Sequence, residues 1–360
     1  MMGMRIVILG LSITSSWGNG HATTYRGLVR ELVRRGHEVL FLERDVPWYA
    51  AHRDLPEPPY GTTCLYASLD ELVERHLDAV READLVIVGS YVPDGVRVGD
   101  WVLAEAGGLK AFYDIDTPVT LARLARGDHE YLHARQVPQY DLYLSFTGGP
   151  TLKRLEREWG SPRARKLYCS FDPELYFPEP QAARWDLGYM GTYSDDRQPS
   201  VRSFLLEPAR LYPRGRFIVA GPQYPDTANW PTNVAYQAHL PPAEHRAFYN
   251  SQRFTLNVTR KDMVAAGWSP SVRLFEAAAC GTPIISDRWP GIESLLVPHQ
   301  EILLVDRTLD VLDILERCGE EERLRIAERA RQRILAEHTA AHRAAELEGY
   351  ALELLSGVAA

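Results

Sequence analysis

The chain has 360 residues, 45% of them apolar, 24% charged and 10% aromatic, which fits a globular protein large enough for two domains and excludes a fibrous or extensively disordered one. Forty basic against 48 acidic side chains leave a net charge of -8, so no global field draws the chain to nucleic acid or to an anionic membrane. Cys64, Cys169, Cys280 and Cys318 lie far apart, with no CxxC pair and no histidine at zinc spacing, which reads as reduced thiols and no metal site.

The first apolar stretch, Arg5 to Leu9, is too short for a signal segment or a bilayer span. The expectation is a cytoplasmic protein without a transmembrane segment, with peripheral membrane contact left open. Five further runs follow it at Glu38–Glu43, Asp84–Gly89, Lys110–Ile115, Leu142–Phe146 and Lys166–Cys169, with helical periodicity between them. That alternation predicts βαβ units and a parallel sheet. The clearest helix starts after Gly20, with Tyr25, Leu28, Val29, Leu32 and Val33 on one face and Arg34-Arg35-Gly36 as a cationic last turn and stop. Prolines at 173, 178 and 180 then forbid a continuous helix, which places an interdomain linker at 171–180. A second series of strand-like runs appears at Leu187–Met190, Arg216–Ala220, Phe254–Val258, Pro283–Ser286 and Ile302–Val305. After Val305 the pattern is helical to the end, and Leu347, Tyr350, Ala351 and Leu354 form an apolar stripe on the last helix.

Several segments could carry chemistry. The first strand-to-helix junction holds Gly18-Asn19-Gly20-His21, where free N–H groups and the positive end of a helix favour anions and close ligand approach. Neither the spacing GxGxxG nor a P-loop is present. His21 stands in the first helical turn, as a general base toward a hydroxyl or as a capping histidine. Asp114 and Asp116 flank Ile115 at the end of a predicted strand, ahead of Thr117-Pro118. Asp116 is either a helix N-cap or an active-site carboxylate, and the pair alone is a poor metal signature.

The most informative segment is Ser269-Pro-Ser-Val-Arg273-Leu-Phe-Glu276-Ala-Ala-Ala-Cys-Gly281-Thr-Pro283, a helix with a carboxylate inside its apolar run. It resembles the donor-binding segment of GT-B glycosyltransferases. The resemblance implies that Glu276 holds the ribose hydroxyls of a nucleotide diphosphate sugar while Arg273 offsets phosphate charge. Asp186 to Arg197 resembles the first strand and loop of the donor domain in the CgeB-like branch, named for a spore maturation protein and related to glycosyltransferase group 1. It implies donor contacts from Gly191, Ser194 and Arg197. Phe217 to Gln223 and Val234 to His239 resemble the strands bordering the nucleobase, with Gly221 and His239 in their loops. The segments around Gly18 to His21 and Tyr113 to Pro118 resemble the same branch, so the likeness spans nearly the whole chain. One position departs: many relatives carry a second glutamate where this chain has Trp268. The donor sugar then meets Gly267 and Ser269, or Asp262, or the donor has changed.

The expected fold is α/β of the GT-B type, two Rossmann-like domains facing each other across a cleft. Residues 1–170 would form the acceptor domain and 181–337 the donor domain, with 338–360 packing back toward the first. The expected activity is transfer of a hexose-type sugar from a UDP-, dTDP- or GDP-linked donor to an unknown acceptor. Gly20, Gly191, Ser194, Arg197, Gly221, His239, Ser269, Arg273 and Glu276 would serve the donor and His21 and Asp116 catalysis, with no cofactor, metal or nucleic-acid partner. A nucleotide-sugar epimerase and a non-catalytic sugar-nucleotide binder are the alternatives.

Overall fold

The structure is a computed structural model in which residues 3–18, 20–225 and 227–357 are described. The chain divides into two compact units, Met1–Cys169 with Ala340–Ala360, and Ser170–Thr339.

The first unit is built on β1 (Arg5–Gly10), β2 (Glu38–Arg44), β3 (Thr62–Tyr66), β4 (Leu85–Gly89), β5 (Leu109–Asp114), β6 (Leu142–Ser145) and β7 (Ala164–Lys166). They form one sheet in the order β3-β2-β1-β4-β5-β6-β7, every pairing parallel. Ile6, Ile8, Leu85 and Ile87 are buried in one core, and Val7, Leu9, Val86 and Val88 in another. This is the continuous apolar run that a parallel sheet covered on both faces requires. Strand order reverses between β1 and β4, the place at the carboxyl ends of the strands where open parallel α/β sheets generally bind ligands.

Two strands differ from expectation. β3 has no counterpart among the sequence runs: it is an edge strand with Thr62 exposed and Thr63, Cys64 and Leu65 half-buried, so it needs no apolar run. The last run, Lys166–Cys169, lies mostly beyond β7, which ends at Lys166 because its partner β6 ends at Ser145. Leu167, Tyr168 and Cys169 are buried outside a strand.

The first helix, His21–Arg34, buries Tyr25, Leu28, Val29 and Leu32, and Gly36 at φ +90° turns the chain out of it. The helix Ala340–Leu355 packs on it within the same unit, and Ala344, Leu347 and Ala351 join Leu28 and Val29 in one core. A side chain at Gly27 would bring its Cβ to 3.0 Å from that of Ala340. Arg35 pairs with Glu348 across the contact.

The second unit carries β8 (Trp185–Met190), β9 (Phe217–Ala220), β10 (Val234–Gln237), β11 (Gln252–Asn257), β12 (Ile284–Ser286) and β13 (Leu303–Leu304). Their order is β10-β9-β8-β11-β12-β13, again parallel throughout. Here the reversal falls between β8 and β11. Residues 171–180 run without a helix and group with this unit. Asn250 holds them, its amide donating to the Phe177 carbonyl at 3.1 Å while its oxygen accepts Glu179 N–H at 2.7 Å.

Candidate functional site

At the carboxyl ends of β8 and β11 a cation is buried among neutral groups. Arg273, on the helix Val272–Ala279, is 7% exposed. Its Nε donates to the Met190 carbonyl at 2.8 Å and its Nη1 to Asn257 Oδ1 at 2.7 Å. The guanidinium lies 5.0 Å above the Tyr189 ring. None of these partners carries charge, and a cation taken out of water is expensive until an anion meets it. At Gly191 a Cβ would sit 3.1 Å from Arg273 Nη2 and 2.6 Å from the Tyr189 hydroxyl, so only glycine lets the backbone after β8 pass this close to both groups. That hydroxyl is buried and makes no hydrogen bond. Asp287 also feels Arg273, but its carboxylate is bound by Thr259 N–H and Oγ1, each at 2.9 Å, and burial raises its pKa.

The loops around this cation are set by glycine. Gly221 has φ +145°, and a Cβ there would run into the Gly191 carbonyl, so the loops after β8 and β9 meet backbone to backbone. Tyr224 and Tyr236 seal the contact, donating to the Gly191 and Gly221 carbonyls at 3.3 and 3.0 Å. Arg197 Nη2 holds the Thr192 carbonyl at 2.6 Å while its Nε is buried without a partner. Ser194 donates to Asp196, whose carboxylate accepts Lys261 N–H at 3.0 Å. Arg260 stands 3.8 Å from the same carboxylate. Arg260 and Lys261 were missed in the sequence, although Thr259-Arg260-Lys261 directly after a strand run was a visible cationic signal.

Glu276 lies one turn beyond Arg273 on the same helix, with hydrogen-bond partners of its own. It is 2% exposed, and its Oε2 accepts the Tyr249 hydroxyl at 3.0 Å with His245 Nδ1 at 3.8 Å. Tyr176 completes the cluster, 3.3 Å from His245 Nδ1. Burial, then the Glu276 charge, pushes the Tyr249 and Tyr176 phenols well up, so both stay protonated donors. Ser269 donates to the Gly267 carbonyl at 3.0 Å. Trp268, at φ +45°, lies against Gly291, where a Cβ would come within 2.5 Å of the indole. The His239 side chain is exposed, and its carbonyl accepts from Gln237 at 3.3 Å. Arg273, Gly191, Gly221, Ser194 and Arg197 therefore gather at one sheet edge, with Glu276 on the same helix and His239 apart.

In the first unit the β1 loop is laced down by Glu43. This fully buried carboxylate accepts from Ile13 N–H at 2.7 Å, Thr14 N–H at 3.0 Å, Thr14 Oγ1 at 2.6 Å and Ser12 Oγ at 3.1 Å. It is thereby occupied, and unavailable for the ribose that an acidic residue at this strand end holds in a dinucleotide fold. Gly18 adopts φ +67°, whereas Gly20 takes ordinary helical geometry. Asn19 lies outside the described residues. His21 opens the first helix, with Nδ1 buried and unpartnered, and burial lowers its pKa to about 4. The imidazole is thus neutral at pH 7.

The two aspartates have separate duties. Asp114 is fully buried, accepting from Tyr143 Oη at 2.6 Å and Thr120 Oγ1 at 2.7 Å, and burial lifts its pKa to about 6. Asp116 occupies the N-cap position of the helix Thr117–Ala125, yet its carboxylate makes no capping bond and accepts the Tyr91 hydroxyl at 2.9 Å. His21 meets the same Tyr91 ring edge to face at 5.5 Å. The structure thus brings His21 and Asp116 together around a residue that the sequence reading passed over. Among the described residues no group of three or more His, Cys, Asp or Glu side chains is disposed to hold a metal, and no helix is long and apolar enough to cross a membrane.

Residues 197–349 match the glycosyl transferase-like family. No protein of curated function matches the chain. Among solved structures, the sucrose-phosphate synthase of Thermosynechococcus elongatus is 15% identical over 98% of this chain and 100% of its own, with a TM-score of 0.70. Anabaena HepE, solved with UDP and glucose, is 14% identical over 96% and 99%, with a TM-score of 0.72. An alpha-glucosyltransferase, solved with UDP and a 13-mer DNA containing a central A:G mismatch, is 12% identical over 98% and 100%, with a TM-score of 0.70. These likenesses show the fold: two parallel-sheet, Rossmann-like domains of the GT-B type.

Proposed function

We propose that the protein is a glycosyltransferase that takes a hexose from a UDP-linked donor and passes it to an acceptor hydroxyl. The observation that carries this reading is Arg273, a buried cation with neutral hydrogen-bond partners at the point where strand order reverses, with the backbone of Gly191 passing close to its Nη2. A diphosphate supplies the missing charge, and the Tyr189 hydroxyl and the cations Arg260, Lys261 and Arg197 stand around the same edge. Glu276, held by Tyr249, takes the ribose hydroxyls as acceptor of both protons. UDP is favoured over other nucleotides because HepE and the alpha-glucosyltransferase were solved with it. The CgeB-like assignment rests on the motifs around Gly18, Asp116 and Gly191.

In the reaction the bond from the sugar C1 to the β-phosphate oxygen breaks, and the departing diphosphate gathers charge that Arg273 and its neighbours stabilise. The acceptor oxygen bonds to C1 and gives up its proton. His21, neutral at pH 7, orients the acceptor by hydrogen bonding, and the Asp116 carboxylate takes the acceptor's proton.

A thermal-shift series with UDP, dTDP, GDP, ADP and CDP tests the reading. At 100 times its dissociation constant UDP stabilises the native state by about 2.7 kcal/mol. The expected result is a rise in melting temperature with UDP that is lost in Arg273→Ala and Glu276→Ala. Absence of any nucleotide response from a folded native protein would overturn it.

A further inference from the structure

At the carboxyl end of β4 stands a residue held in a strained conformation. Tyr91 has φ +64°, a region where a bulky side chain is an outlier and Gly or Asn is at ease. Such strain persists only where the surroundings over-determine it, and it concentrates at functional sites. Here the surroundings are explicit. The hydroxyl donates to Asp116 Oδ2 at 2.9 Å, and the ring meets His21 at 5.5 Å and Tyr131 at 4.5 Å. The Arg123 guanidinium lies 5.7 Å from the ring centre. Ser90 ties the neighbouring strand ends together, its N–H donating to the Tyr113 carbonyl at 2.9 Å and its Oγ accepting Ile115 N–H at 3.0 Å. Burial and then the Asp116 charge raise the phenol's pKa, so the hydroxyl remains a donor. Asp114, Tyr131 and Arg123 also act on it.

We propose that Tyr91 is a positioning residue of the acceptor side: its hydroxyl fixes the Asp116 carboxylate, and its ring walls that carboxylate off from His21, so that both present themselves separately to an acceptor hydroxyl. This rests on the glycosyltransferase reading for its chemistry, but not for its geometry. A carboxylate paired directly with His21 would hold the imidazole charged and spend both groups on each other. The interposed phenol prevents that.

The test uses Tyr91→Phe, which keeps the ring and removes the hydroxyl, and Tyr91→Asn, which removes the wall while suiting the backbone. Three readouts separate the possibilities: the UDP thermal shift, release of UDP from UDP-glucose with water as acceptor, and NMR titration of the His21 ring. Both variants should keep the native UDP response, because Arg273 and Glu276, on which that response is proposed to rest, lie in the other unit. Tyr91→Phe should lower kcat about tenfold with KM unchanged, the effect of losing a hydrogen bond to a charged group. Tyr91→Asn should lower kcat further, at temperatures well below its own melting transition, and should raise the His21 midpoint as Asp116 gains access to it. If both variants leave kcat and the His21 titration at native values, or if activity falls only in step with melting temperature, the proposal is overturned. A native protein that ignores UDP would sink the glycosyltransferase reading instead, and the His21 titration would still decide the role of Tyr91.

Discussion

Burial has moved the pKa values of two groups near the first unit's sheet edge in opposite directions. His21 titrates near 4 in the folded protein against an ordinary value of 6.5. Its contribution to stability is whole above pH 6.5 and is lost as pH falls through 4, because the unfolded chain takes the proton more readily. Asp114 titrates near 6 against 3.8, so its contribution is whole below pH 3.8 and is lost as pH rises through 6. Each amounts to about 3 kcal/mol, and between pH 4 and 6 they oppose one another. Urea unfolding of the native protein, Asp114→Asn and His21→Asn at pH 4.5 and 6.5 checks this. The advantage of native protein over Asp114→Asn should grow toward acid, and that over His21→Asn should shrink; slopes of the same sign would refute it. At this scale the sequence was legible where a charge interrupts an apolar run, as at Arg273 and Glu276, or sits at the end of one, as at Asp116. Tyr91 and Tyr249 left no such trace, since a positive φ and a contact made across many residues have no local pattern.

Elements were legible in proportion to their burial. The central strands β1 and β4 of the first sheet are buried on both faces and apolar nearly throughout, so their runs stood out, whereas β8, with Asp186, and β11, with Gln252, Arg253, Thr255 and Asn257, read as runs only in part. Edge strands escape the demand for burial on both faces: β3 carries Thr62 exposed and Thr63 half-buried, and β10, with Tyr236 36% exposed, was visible only through resemblance. Helix stripes were equally clear, yet a stripe does not say what it packs against. That of Ala340–Leu355 lies on the first helix, with Leu347 fully buried beside Leu28 and Val29. Leu347→Ala should therefore destabilise the first unit by about 2–5 kcal/mol, the range for a large-to-small change at a packed site. The check is chemical denaturation followed by proteolysis at peptides of each unit. Loss confined to peptides of residues 170–339 would mean that the helix belongs energetically to the second unit.

Across the whole molecule, the chain passes between its two units twice, at 169/170 and at 339/340, while the chemistry divides between them. Every proposed donor contact but Gly20, from Gly191 through Arg273 to Glu276, falls within Ser170–Thr339, and Gly20, His21, Tyr91 and Asp116 fall within Met1–Cys169. A nucleotide without an acceptor should accordingly stabilise one unit and leave the other as it was. In hydrogen exchange at UDP concentrations about 100 times the dissociation constant, amides of the second unit that exchange by its global unfolding should slow about 100-fold. Peptides spanning 189–197, 217–224 and 257–276 should show the effect at the shortest exchange times, because direct contact also quenches local opening. Peptides of residues 3–169 and 340–357 should exchange as in free protein, and Glu276→Ala should abolish the response everywhere. Equal slowing in both units would refute the division, since the nucleotide would then stabilise a single cooperative body or bind the first unit itself.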